Sequence, residues 1–273
     1  MNVTGIEMAN EAYHADVSRI SKSGLDLISK SPAHFYARYL DPNRETSAPT
    51  PAMRLGSLTH SFVLEYDTFF NNYVIAPELN KRTNDGKAAW AAFEQANAGK
   101  MVITLDEYDH AKKIRDAVMA HPAAAMLLKK GKSEQVFHFT EQKTGVHCKI
   151  KPDFLSEDTG FIVDLKTTTD ASAKEFGISA FNYRYHVQGA FYGDGIYYAT
   201  NQQVKGFVFI AVEKDPPFAV AVYYLDQQAI ELGREAYLND LETYKRCVQT
   251  GAWPAYGYEV TPLLIPDWAF KKL

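Results

Sequence analysis

From about residue 133 onward, apolar and polar positions alternate with a period of two. EQVFHFT (134–140) and VHCKIKPDFL (146–155) each read as a half-buried strand, with EQKTG (141–145) as the hairpin turn between them. FIVDLKT (161–167) is more continuously apolar, as a strand covered on both faces would be. A helix is predicted from about Phe181 to Ala199. VKGFVFIAVE (204–213) and FAVAVYYL (218–225) are two further strands around a KDPP turn, and residues 226–249 carry the period of a long amphipathic helix. This half reads β-β-β-α-β-β-α.

The half before it has helical spacing. SKSGLDLISKSPAHFYARYL (21–40) predicts two short helices. The first is capped by Ser23 with Asp26 three residues on, the second by Ser31 with Pro32 at its first position. DPNRETSAPTPA (41–52) is a loop. In MRLGSLTHSFVLEY (53–66), Leu55, Leu58 and Phe62 form one helical stripe, with Met53 and Val63 at its margins. An alanine-rich helix, GKAAWAAFEQANAG (86–99), stops at Gly99. Thr104 and Glu107 form a capping box for a helix to about Ala120, and Pro122 to Lys130 predicts another that ends at Gly131. The expectation is a mixed α/β protein. A helical part over residues 1–131 packs on a core over 132–273, with no flexible linker between them.

Composition narrows the partners only a little. A chain of 273 residues, 46% hydrophobic, is long enough to bury one large core. The net charge of -4 excludes a broadly basic protein but leaves room for a local basic groove. Cys148 and Cys247 are too few for a cysteine-only zinc or iron–sulfur site, and a cytoplasmic setting is expected. No apolar run approaches the ~18 residues of a membrane span.

The chemistry lies in KPDFLSEDTGFIVDLKTTTD (151–170), where charges interrupt strand-forming residues. Asp164 and Lys166 are two apart and project to one side of a strand. The turn after Asp153 brings that residue back beside Asp164. Two close carboxylates repel in a low dielectric unless a cation lies between them, and Mg²⁺ favours such oxygen ligands. Lys166 next to them can position a water or stabilise developing negative charge, as phosphodiester hydrolysis requires. The same residues also fit a solvated hairpin with a cross-strand salt bridge.

The order of motifs separates the two readings. Pro152-Asp153, ten residues, then Asp164-Leu165-Lys166 resembles the signature of the PD-(D/E)XK nucleases. YHVQGAFYGDG places Gln188 and Tyr192 four apart, as in the Q-x-x-x-Y motif of the RecB-like branch, and GSLTHSFVLE resembles its G-x-x-x-H segment. ISKSGLDLISKSPAHFY, KRTNDGKAAWAAF and the WPAYGYEV tail resemble the RecE (exonuclease VIII) family, often phage-encoded. That resemblance implies a PD-(D/E)XK core with Asp153, Asp164, His60 and the Leu165 carbonyl as ligands of Mg²⁺, with Mn²⁺ substituting. It makes Lys166 the catalytic lysine and has Gln188 and Tyr192 brace the site. Glu134, at the start of the first strand, is a candidate additional acid. Lys81, Arg82, Lys87, Lys149 and Lys151 are candidate phosphate contacts. The implied activity is 5′→3′ digestion of linear double-stranded DNA. It leaves 3′ tails for a single-strand annealing protein, in a ring-shaped homotetramer.

Overall fold

The computed structural model describes residues 3–44 and 50–265. Its centre is a five-stranded sheet. The strands are β3 (Gly131–Ser133), β6 (Phe154–Ser156), β7 (Phe161–Thr168), β8 (Gly206–Glu213) and β9 (Val220–Tyr224), in that spatial order. β7 and β8 pair in parallel; the other neighbours are antiparallel. A parallel pair needs a crossover. Two helices supply it, α9 (Ala173–Asn182) and α10 (Tyr185–Thr200).

Alternation along the central strands builds two cores. Phe207, Phe209 and Ala211 of β8 face α10 and the long α11 (Gln227–Thr250). Val208, Ile210 and Val212 face the opposite way, with Val163 and Leu165 of β7. Val63, Ile114, Val118, Ala124 and Leu127 cover that second face. They come from α4 (Pro51–Leu64), α7 (Leu105–Ala120) and α8 (Pro122–Leu127). Each of these large side chains contributes about 1.5–3 kcal/mol when taken from water. The N-terminal helices therefore form one layer of a helix–sheet–helix sandwich.

The remaining elements serve this frame. α1 (Asn10–Ala15), α2 (Lys22–Lys30) and α3 (Pro32–Phe35), which runs into a π-turn over Tyr36–Leu40, come first. α5 (Phe69–Asn72) leads into β1 (Tyr73–Ile75), which pairs in parallel with β2 (Met101–Ile103); α6 (Asn84–Ala96) connects them. A separate hairpin, β4 (Phe137–Thr140) and β5 (His147–Ile150), lies against α10. Gly195 permits this, because a Cβ there would come within 2.7 Å of the Phe139 ring. Trp253 of the tail stacks on Phe35 at 5.5 Å. Among the described residues no helix is long and apolar enough to cross a membrane.

Several expected boundaries shift. Ser21, not Ser23, caps α2 by accepting from Gly24 N–H, and Ser31 turns its hydroxyl to His34. α8 ends at Leu127 and Gly131 opens a strand. The predicted helix from Phe181 is two helices, broken at Tyr183–Arg184 with Arg184 left-handed at φ 56°. VHCKIKPDFL is not one strand: it breaks at Lys151–Asp153, so β5 belongs to the hairpin and β6 to the main sheet. Glu134 does not open a strand; at φ 54° it turns the chain between β3 and β4.

Candidate metal centre

The break after β5 is what creates the site. The β6–β7 register, Phe154 opposite Val163, carries one step further to set Asp153 opposite Asp164 on one face. Asp153 Oδ2 accepts from Leu165 N–H at 3.0 Å where the ladder would otherwise continue. A strand residue's N–H and C=O point to the same side, so the Leu165 carbonyl also faces Asp153.

Asp164, buried at 1% exposure, points into the α10 layer. Its Oδ1 accepts from Gln188 Nε2 at 2.5 Å. Its Oδ2 meets the Lys166 ammonium at 2.6 Å as an ion pair, with no hydrogen-bond donor aligned on it. Lys166 Nζ also lies 4.9 Å from the Tyr185 ring. Burial pulls the lysine down, but Asp164 and Asp153 outweigh it, so Lys166 is held above its ordinary value.

His60 approaches from α4, in the layer on the other face, with Nδ1 3.3 Å from Asp153 Oδ2. His60, Glu134 and Asp153 present ligand atoms all within 4.8 Å of one another. Glu134 reaches this place because its backbone N–H binds the Asp153 carbonyl at 3.1 Å. Burial, then Asp164, push Asp153 up to about 6; Glu134 adds to this while His60 and Lys166 partly offset it. A carboxylate held against its own ionisation, beside two more acids and a histidine, is a donor set that fits a divalent cation. Asp164 Oδ2, lacking an aligned donor, is a further candidate oxygen.

Tyr192 lies one turn further along α10 than Gln188. Burial, then Tyr13 and the three site acids, raise its phenol well above the ordinary value, so it remains a hydroxyl. Lys151 is drawn inward by an ion pair with Glu134 and a 3.0 Å hydrogen bond to Asn10. Lys149 is corrected as a phosphate contact. Its ammonium is buried beneath α1 and donates to the Tyr13 and Asp16 carbonyls, so it is turned away from a ligand at the surface. Lys81 lies over the Trp90 ring, and Arg82 and Lys87 are exposed at the start of α6, away from these contacts.

Sequence reasoning missed Tyr185 and Glu65. Tyr185 sits three residues before Gln188 and so shares its helical face, a readable signal. Glu65 ends α4; burial and nearby Glu134 hold it above the carboxylate range, against Lys151 and His60. Only its position five residues after His60 hinted at this.

Residues 21–261 match the model of DUF3799, a PDDEXK-like domain of unknown function. The chain belongs to this family. No curated protein matches it. A similar solved structure, of a presumed exonuclease from Eubacterium rectale, has a TM-score of 0.62 at 14% identity. It covers 97% of this chain and 98% of that one, and at such identity shows the shared fold. A phage-related exonuclease from Haemophilus somnus, at TM-score 0.35 and 11% identity over 62% of this chain and 85% of its own, is too distant to bear on the site.

Proposed function

We propose that this protein is a divalent-metal-dependent exonuclease of RecE-like type. It digests linear duplex DNA from 5′ ends and leaves 3′ tails for a strand-annealing partner. The observation that carries the nuclease reading is the joint placement of Asp153, Asp164 and Lys166 at the strand break, with His60 and Glu134 completing the donor set. The polarity, the annealing partner and a ring tetramer rest on the motif resemblance.

His60, Glu134, Asp153, Asp164 and the Leu165 carbonyl would hold Mg²⁺. When bound, the ion supplies Lewis-acid polarisation and an acidified water. The chain's own groups do the rest. Lys166 remains an ammonium beside the acids and stabilises negative charge developing on phosphate oxygens. Gln188 fixes the Asp164 carboxylate by binding one oxygen, while the other faces Lys166. Tyr192, kept protonated, can donate but not accept charge. The exposed Lys81, Arg82 and Lys87 would neutralise phosphates further along the duplex.

The test is a digestion course with Mg²⁺ or Mn²⁺ on duplex labelled at the 5′ or 3′ end, beside a closed circle. Early 5′ label, late 3′ label and an intact circle are expected. A nicked circle would make it an endonuclease, and no cleavage with any divalent ion would end the nuclease reading.

A further inference from the structure

α9 and α10 meet at an elbow made by Tyr183 and Arg184. Arg184 is left-handed, which costs a residue with a Cβ about 1 kcal/mol or more. Its guanidinium is bound by Asp240, by Asp26 at 3.4 Å and by the Leu25 carbonyl at 3.3 Å. Lys22, paired with Asp26 at 2.7 Å, donates to the Tyr183 carbonyl at 2.9 Å. The elbow is thus clamped to α2 and α11 by four side chains.

What it presents lies largely in solvent. Phe181 is 66% exposed and Tyr183 64%, although both rings are large and apolar. Each is held flat by a neighbour. Phe181 stacks on His186 at 5.7 Å and 7°, and Tyr183 on Tyr185 at 5.8 Å and 27°. Tyr185 is the ring 4.9 Å from Lys166 Nζ. A continuous path of two contacts therefore joins Tyr183 to the site lysine, with the Phe181–His186 stack on the other side of the elbow.

We propose that this elbow is a stacking platform for unpaired nucleobases of the strand whose phosphate enters the Asp153–Asp164–Lys166 site. The proposal rests on the nuclease reading. The two contacts, 4.9 Å and 5.8 Å, put the Tyr183 ring no more than about 11 Å from Lys166, a reach of at most about three nucleotides at ~3.4 Å each. Stacking on aromatic faces tolerates any base, as a non-specific enzyme requires. A clamped backbone bears the rings without paying to order them at binding. A frayed or overhanging end would bind better than a blunt one, because its bases are already free to stack.

The test uses Lys166→Ala protein, to prevent turnover, with a short single strand carrying 2-aminopurine near its end. Quenching of the probe on binding is expected. Adding Phe181→Ala and Tyr183→Ala should abolish the quench and weaken single-strand affinity at least about tenfold. Tyr183→Trp should preserve both, and affinity for blunt duplex should hardly change. An unchanged quench and affinity in the double alanine variant would overturn the platform. Cleavage by the unmutated protein is scored separately with Mg²⁺. Cleavage with an unchanged quench sinks the platform alone. No cleavage with a platform-dependent quench sinks the nuclease reading and leaves a nucleobase-binding surface.

Discussion

Asp153→Asn should stabilise the metal-free protein while removing its function. In the folded chain this carboxyl is pushed from an ordinary 3.8 up to about 6, first by burial and then by Asp164. The sign follows from linkage. Below pH ~4 both folded and unfolded chains hold the proton, and the site costs nothing. Between pH ~4 and ~6 the unfolded chain is ionised while the folded one still holds the proton, so stability falls across that window and levels off once the folded carboxyl ionises too. At ~1.4 kcal/mol per pH unit, the interval corresponds to about 3 kcal/mol at pH 8. Asparagine abolishes the charge, and its carbonyl can still accept from Leu165 N–H. A gain of about 1–3 kcal/mol is expected. For a chain of this size that raises Tm by roughly 2–10 °C. The assay is thermal unfolding in chelator from pH 5 to pH 8, then with added Mn²⁺. The variant's advantage should be level from pH 8 to about 7 and shrink as pH falls through 6 to 5. Mn²⁺ should raise the Tm of the unmutated protein far more than that of the variant. A variant that melts at or below the unmutated protein at pH 8 in chelator would refute the argument that the site is built on uncompensated like charge.

Lys166→Ala should lower cleavage at least about 10²-fold while metal affinity, measured by calorimetry, is kept or tightened; an active variant would take the lysine out of the chemistry. Gln188→Leu removes the aligned donor on a buried carboxylate, worth about 1.5–3 kcal/mol, so kcat should fall roughly 10- to 100-fold with an unchanged circular dichroism spectrum. Lys151→Met frees Glu134 from its ion pair and should tighten Mn²⁺ binding; weaker binding would mean that Glu134 is not a ligand. Gly233→Ala drives a Cβ to 2.1 Å from the His186 carbonyl, where α11 presses on α10, and should destabilise by about 1–3 kcal/mol in denaturant titration.

The sandwich was legible where burial and period agree. β8 and α11 were placed to within two residues, because a doubly covered strand and a capped amphipathic helix each carry a long, redundant pattern. The pairing of Asp164 with Lys166 followed from alternation alone. Illegible features depend on contacts between distant segments. VHCKIKPDFL keeps strand character throughout, yet tertiary pairing divides it between two sheets, since β5 answers β4 while β6 answers β3 and β7. β3, three residues beginning with glycine, has no pattern of its own. The elbow at Arg184 is set by Asp240 and Asp26, neither near it in sequence. Lys149 looked like a surface cation because its neighbours in sequence do not reveal that α1 lies over it.

The charge arrangement explains why one acid, rather than another, bears the strain. Three carboxylates converge, and two have cations of their own: Asp164 has Lys166 and Glu134 has Lys151. Asp153 is left with His60, a weak and conditional partner, and with one backbone N–H. It is also the acid at the break between the sheets, where its backbone carbonyl holds Glu134 and its side chain replaces a ladder bond to β7. The residue that joins β6 to both of its neighbours at the edge of the break is thus the one with the least charge compensation. A divalent ion would supply what that position lacks, and Lys166, paired with Asp164, stands at the same place. Metal and lysine therefore meet on Asp164, so removing Lys166 should release that carboxylate and leave metal affinity unchanged or higher.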